Sequence, residues 1–138
     1  MTNSKVRFGF ILAITLLSQG ATYADENGFV MNFDLNTLSP GGDVVYSIQL
    51  QGIRLKPGTP FHGDGLGKYD YFLTVSELAD GKGNLTIEFY EYGSRRKTSD
   101  VISEIIAKVD FIFGSPARFE GMSKTFGVDL AFSIDAKR

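Results

Sequence analysis

The groups able to do chemistry in this chain are few. His62 is the only histidine, and there is no cysteine. His62 stands in the run His62-Gly63-Asp64-Gly65, where an imidazole and a carboxylate lie close together in sequence. Such a pair could act as general base and orienting acid, or contribute to a metal site. A dedicated zinc site needs three or four ligands, more than one histidine without thiolates supplies. Asp64 and Asp70 do not have the spacing of a calcium loop. No Gly-x-Ser-x-Gly elbow marks a nucleophilic serine, although a Ser-His-Asp triad is defined by geometry and not by order. Carboxylates are plentiful, but Glu88 and Glu91 fall on opposite faces of a regular strand and make a poor glycosidase pair. Without thiols there is no thiol catalysis, thiolate ligation or redox chemistry. The chain therefore reads as non-catalytic, with no cofactor and no metal. The alternative is a small secreted hydrolase or metal-dependent enzyme with its site in segment 54–68, around His62 and Asp64.

A second constellation suits recognition. Phe72, Tyr90 and Tyr92 share the mixed face of a strand pair, and Arg95 and Arg96 follow directly. Aromatics with a polar handle beside guanidinium groups make serviceable contact surfaces for peptide, protein or glycan. The competing, purely structural reading packs these rings beneath segment 54–68 or inside a second sheet. Likewise, Arg95-Arg96-Lys97 by itself can be no more than a solvated turn.

The elements that position these groups follow a period of two. In Tyr69 to Tyr92, the residues Tyr69, Tyr71, Leu73 and Val75 share one parity, and Leu85, Ile87 and Phe89 share another. Successive strand side chains point to opposite faces, so each set lines one side. Asp80-Gly81-Lys82-Gly83-Asn84 supplies the positive-φ residues a tight reversal needs. The segment is a hairpin, with Leu73 expected near Phe89 and Val75 near Ile87.

Around it, Phe29 to Leu35 and Val44 to Leu50 alternate as strands. Pro57, Pro60 and the glycines between Arg54 and Lys68 mark a long loop, with at most a short edge segment at its start. Ile105 to Phe113 fits a helix or a strand; its β-branched and aromatic content favours the strand. A short strand, Arg118 to Glu120, and a cleanly alternating one, Phe126 to Ile134, complete the chain. The expectation is all-β: a single antiparallel β-sandwich or flattened barrel of about six to seven strands. The first strand, with few charges, could sit at an edge and accept a partner strand.

Residues 1–24 read as a secretory signal peptide. Lys5 and Arg7 form a basic start, Phe8 to Leu17 an apolar core too short for a membrane span, and Thr22-Tyr23-Ala24 a cleavage site. That leaves residues 25–138 as one domain. The whole chain carries a net charge of −2, and loss of Lys5 and Arg7 makes it more acidic. Nucleic acid is thereby disfavoured as a partner, since its affinity rests on neutralising phosphate with basic groups. A 138-residue chain with no cysteine rests on its core alone. Gly114-Ser115-Pro116-Ala117-Arg118-Phe119 resembles a turn found in exported Gram-negative β modules, including the closing hairpin of outer-membrane secretins. The resemblance covers only this segment and implies an envelope setting. The functional expectation is a small exported binding or accessory protein of the bacterial envelope, periplasmic or secreted. Its partner would be an unknown protein or cell-wall glycan, with no stable membrane insertion after cleavage.

Overall fold

The computed structural model describes residues 28–94 and 100–136, apart from the side chains of Asp64 and Gly65. Segment 1–24, read above as a signal peptide, and Arg95 and Arg96 lie outside the described residues.

The alternation seen in the sequence becomes strands throughout. They are β1 (Phe29–Leu38), β2 (Val44–Leu55), β3 (Phe61–Leu66), β4 (Tyr69–Glu77), β5 (Lys82–Tyr92), β6 (Val101–Ile112), β7 (Ala117–Met122) and β8 (Gly127–Ala136). They form two antiparallel four-stranded sheets, ordered β2-β1-β8-β7 and β3-β4-β5-β6. The fold is a β-sandwich, so the flattened-barrel option falls away. Antiparallel strands joined by short turns build each sheet. The chain crosses between sheets after β2 and again after β6.

The core lies between the inner faces. Phe33 and Leu35 of β1, Tyr71 and Leu73 of β4, Ile87 and Phe89 of β5, and Leu130 and Ile134 of β8 are all buried. Aromatic rings bridge the sheets: Phe33 meets Tyr71 edge-on at 6.3 Å, and Phe111 meets Phe132 at 5.8 Å. Tyr71 also stacks on Phe89 within its own sheet at 5.1 Å. Offset and edge-to-face pairs of this kind add about 0.5–1.5 kcal/mol each beyond the area they bury.

Three expectations need correction. First, the described residues form eight strands. The additional one, β3, falls where proline and glycine suggested a loop. Gly63 is an inward strand position, and a Cβ there would lie 1.8 Å from Cζ of Tyr71. The glycine admits the Tyr71 ring from directly across the pair. A glycine inside a strand often marks such a close approach.

Second, the central hairpin is paired two residues away from the expected register. Leu73 faces Ile87, Val75 faces Leu85, and Tyr71 faces Phe89. The reversal is tighter than the five-residue cluster implied. Asp80 (φ 62°) and Gly81 (φ 74°) sit at its apex, with the amide of Lys82 donating to the carbonyl of Ala79 at 3.3 Å. Two consecutive positive-φ residues match the right-handed twist of the flanking strands, and Lys82 and Gly83 are released into β5.

Third, β1 is not an edge strand; it pairs with β2 on one side and β8 on the other. Segment 113–116 carries the chain from the second sheet to the first. The strand choice for Ile105 to Phe113 holds to Ile112, and β6 begins earlier, at Val101.

Candidate binding face

The outer face of the second sheet gathers most of the side chains singled out in the sequence. In register, His62 of β3 stands opposite Phe72 of β4, which faces Glu88 of β5, which faces Ile106 of β6. One step along, Asp70 faces Tyr90, which faces Glu104. The His62 ring stacks on Phe72 at 4.7 Å with the planes 12° apart. Phe72 in turn meets Tyr90 edge-on at 6.1 Å. The result is a row of three rings across three adjacent strands, half-buried by one another and open on their outer side.

Carboxylates flank the row. Asp70 Oδ1 lies 3.1 Å from His62 Nε2. The Tyr90 hydroxyl donates to Glu88 Oε1 at 2.6 Å. That bond, followed by partial burial and the charge of Glu88, pushes the Tyr90 phenol up to about 12. The described part of the face is thus aromatic and acidic. Tyr92 shares the face at the far end of β5, where its amide donates to the Lys68 carbonyl at 2.9 Å. It lies beyond the Phe72–Tyr90 contact.

Of the alternative pair, only the His62 side chain is among those described. His62 is on an exposed strand, not in a loop, and its side chain is about half exposed. Its carboxylate neighbour is Asp70 across the strand pair, whereas the side chain of Asp64 lies outside the described residues. A shallow cleft of about 290 Å³ opens on the outer face of the first sheet, among Asn32, Asp34, Gln49, Ala131 and Ser133. Among the described residues, no group of three or more His, Asp or Glu side chains could hold a metal ion.

Sequence reasoning missed a different cluster. Glu91 is only 2% exposed. Its Oε2 lies 2.7 Å from Lys68 Nζ, and its Oε1 accepts a hydrogen bond from the Thr125 hydroxyl. Lys68 sits in the β3–β4 turn and Thr125 in the β7–β8 turn, so Glu91 ties the second sheet to the first at one end of the sandwich. The carboxylate raises the pKa of Lys68, chiefly through their hydrogen bond. Burial, and then the charge of Glu91, raises that of Tyr69. The clue was in the parity: Glu91 occupies the same inward register as Leu85, Ile87 and Phe89. An acid in that position requires partners inside the fold. With its oxygens held by Lys68 and Thr125, it acts as an inter-sheet clamp and not as a reagent.

Comparison with protein-family models, with curated proteins and with solved structures finds no match to this chain.

Proposed function

We propose that this chain is a small exported binding protein of the bacterial envelope that acts without catalysis. It holds a protein or glycan partner against the outer face of its second sheet. One observation carries the reading: the continuous ring row His62–Phe72–Tyr90, stacked at 4.7 Å between the first two rings, edge-on at 6.1 Å between the last two, and bordered by Asp70 and Glu88. Rings fixed by one another lose little freedom when a partner covers them, which lowers the cost of binding. The bordering carboxylates offer acceptors to hydroxyl or cationic groups on that partner. Arg95 and Arg96 follow β5 in sequence and belong to the proposed contact set, with Tyr92 at its margin.

The test is capture of envelope components, by chemical crosslinking and by co-sedimentation with cell-wall glycan. Wild type is compared with a Phe72→Ala, Tyr90→Ala double variant of unchanged circular dichroism. Truncating a central aromatic contact typically costs about 2 kcal/mol or more, on the order of 30-fold in affinity. The double variant should therefore lose capture. Undiminished capture would remove this face from consideration.

A further inference from the structure

Each sheet of a sandwich leaves two edges, and an edge is a template for another strand unless something blunts it. Three of the four edges here are blunted. The β2 ladder is interrupted between Met31 and Phe33, beside Gly52 at φ 69°. β3 has six residues and an irregularity between Gly63 and Leu66. β7 also has six, and its Arg118 is tied to Asp129 and Glu120. β6 is different. It is 12 residues long, and apart from one irregularity at its start, between Val101 and Ser103, its ladder with β5 is unbroken over the ten residues from Ser103 to Ile112. Its outer face carries Ile102, Ile106 and Ile112, each more than half exposed.

The charges on β6 say what such an edge would accept. Its outward residues run Ile102, Glu104, Ile106, Lys108, Asp110, Ile112. Glu104 and Lys108 stand about 13 Å apart along the strand, too far to pair with each other. Among the described residues neither has an ion-pair partner. Laid antiparallel against a second β6 with Ile106 opposite Ile106, however, Glu104 of each copy falls opposite Lys108 of the other. Opposite charges directly across a ladder stabilise it, and like charges destabilise it. Sliding the register by two to match Ile102 with Ile112 would set Glu104 against Asp110. Sliding it the other way would set Glu104 against Ile106. One register therefore satisfies both charges, and it satisfies them twice.

We propose that β6 pairs with β6 of a second copy of this chain about a two-fold axis at Ile106, joining the two β3-β4-β5-β6 sheets into one eight-stranded sheet. Because His62, Phe72, Glu88 and Ile106 lie on one cross-strand row, this register continues the row through the axis. The two aromatic faces then lie on the same side of a single sheet. With strands spaced about 4.8 Å apart, their His62 residues are about 33 Å from each other. Pairing of this kind is isologous and closes on itself.

The register makes the test specific. Sedimentation equilibrium of the purified protein should show a dimer. Glu104→Lys alone and Lys108→Glu alone each create two like-charge contacts and should weaken the dimer by about tenfold or more. The double swap, Glu104→Lys with Lys108→Glu, restores the pairing and should recover it. Since the chain has no cysteine, Ile106→Cys introduces a single thiol. Its counterpart across the axis has a Cα about 4.5–5.5 Å away, within disulfide range. Mild oxidation should link Ile106→Cys into dimers and leave Ile102→Cys unlinked. A wild-type monomer at all concentrations, a double swap that stays as weak as the singles, or equal linkage from both cysteine variants would each overturn the proposal.

Discussion

Removing Lys68 should harm this protein more than removing Glu91, although the two are bonded to each other. The Glu91 carboxylate is almost fully buried, whereas the Lys68 side chain is 40% exposed. Lys68→Met therefore leaves a buried carboxylate without its counter-charge, held chiefly by the Thr125 hydroxyl. Stranding one member of a buried pair costs about 3–5 kcal/mol, and partial hydration at the Lys68 opening places this case near the lower end, at about 3 kcal/mol. Glu91→Leu leaves an ammonium that turns into water, and it replaces a buried acid with apolar volume. Its cost, set by the lost Thr125 bond and imperfect fit, is about 1 kcal/mol. The double variant should resemble Glu91→Leu and not the sum, because the stranded charge is gone. Urea unfolding followed by tyrosine fluorescence and far-ultraviolet dichroism reads this directly. With a slope of about 1–3 kcal/mol per molar urea, Lys68→Met should lower the midpoint by about 1–3 M. Equal losses from both single variants, or a larger loss from Glu91→Leu, would refute the clamp.

Two further outcomes follow from particular residues. Gly63→Ala drives a methyl into the Tyr71 ring, with Cβ 1.8 Å from Cζ, and should cost about 2–3 kcal/mol of stability. Gly41→Ala, whose nearest neighbour would be the Ser39 hydroxyl at 3.9 Å, serves as the neutral control in the same urea assay. Stability should also fall in alkali. Tyr90, Tyr69 and Lys68 all hold their protons more tightly than ordinary tyrosine or lysine, whose values are 10.0 and 10.5. Each raised group stabilises the fold fully below its ordinary value, and that contribution is lost as pH rises through the folded one, near 12 for Tyr90. The urea midpoint should decline steadily above about pH 10, and less steeply in Tyr90→Phe; a flat profile would contradict these assignments.

The sandwich was largely legible because its inner faces obey a strict period of two. Val128, Leu130, Phe132 and Ile134 are buried as their alternation implied, and β4 and β5 keep the parity assigned to them. Register was not legible. It depends on where the reversal closes, and positive φ falls at Asp80 and Gly81 alone among five permissive neighbours. β3 escaped notice because glycine carries two meanings in sequence, a break in a strand or room for a ring. Only the partner across the ladder, Tyr71, tells them apart at Gly63. In the same way, Phe72 and Tyr90 could be placed on one face by parity. That His62 joins them depends on a strand pairing that no local pattern encodes. Glu91 was open to discovery, since an acid on an apolar parity is itself a signal.

Whether partners meet the His62–Phe72–Tyr90 face can be read in intact cells, by placing a photo-crosslinking side chain at Phe72 and, as control, at Ser133 on the outer face of the first sheet, then illuminating. Position 72 should give a discrete crosslinked species and position 133 none. Crosslinks from position 133 alone, or from neither, would rule out this face as the contact surface.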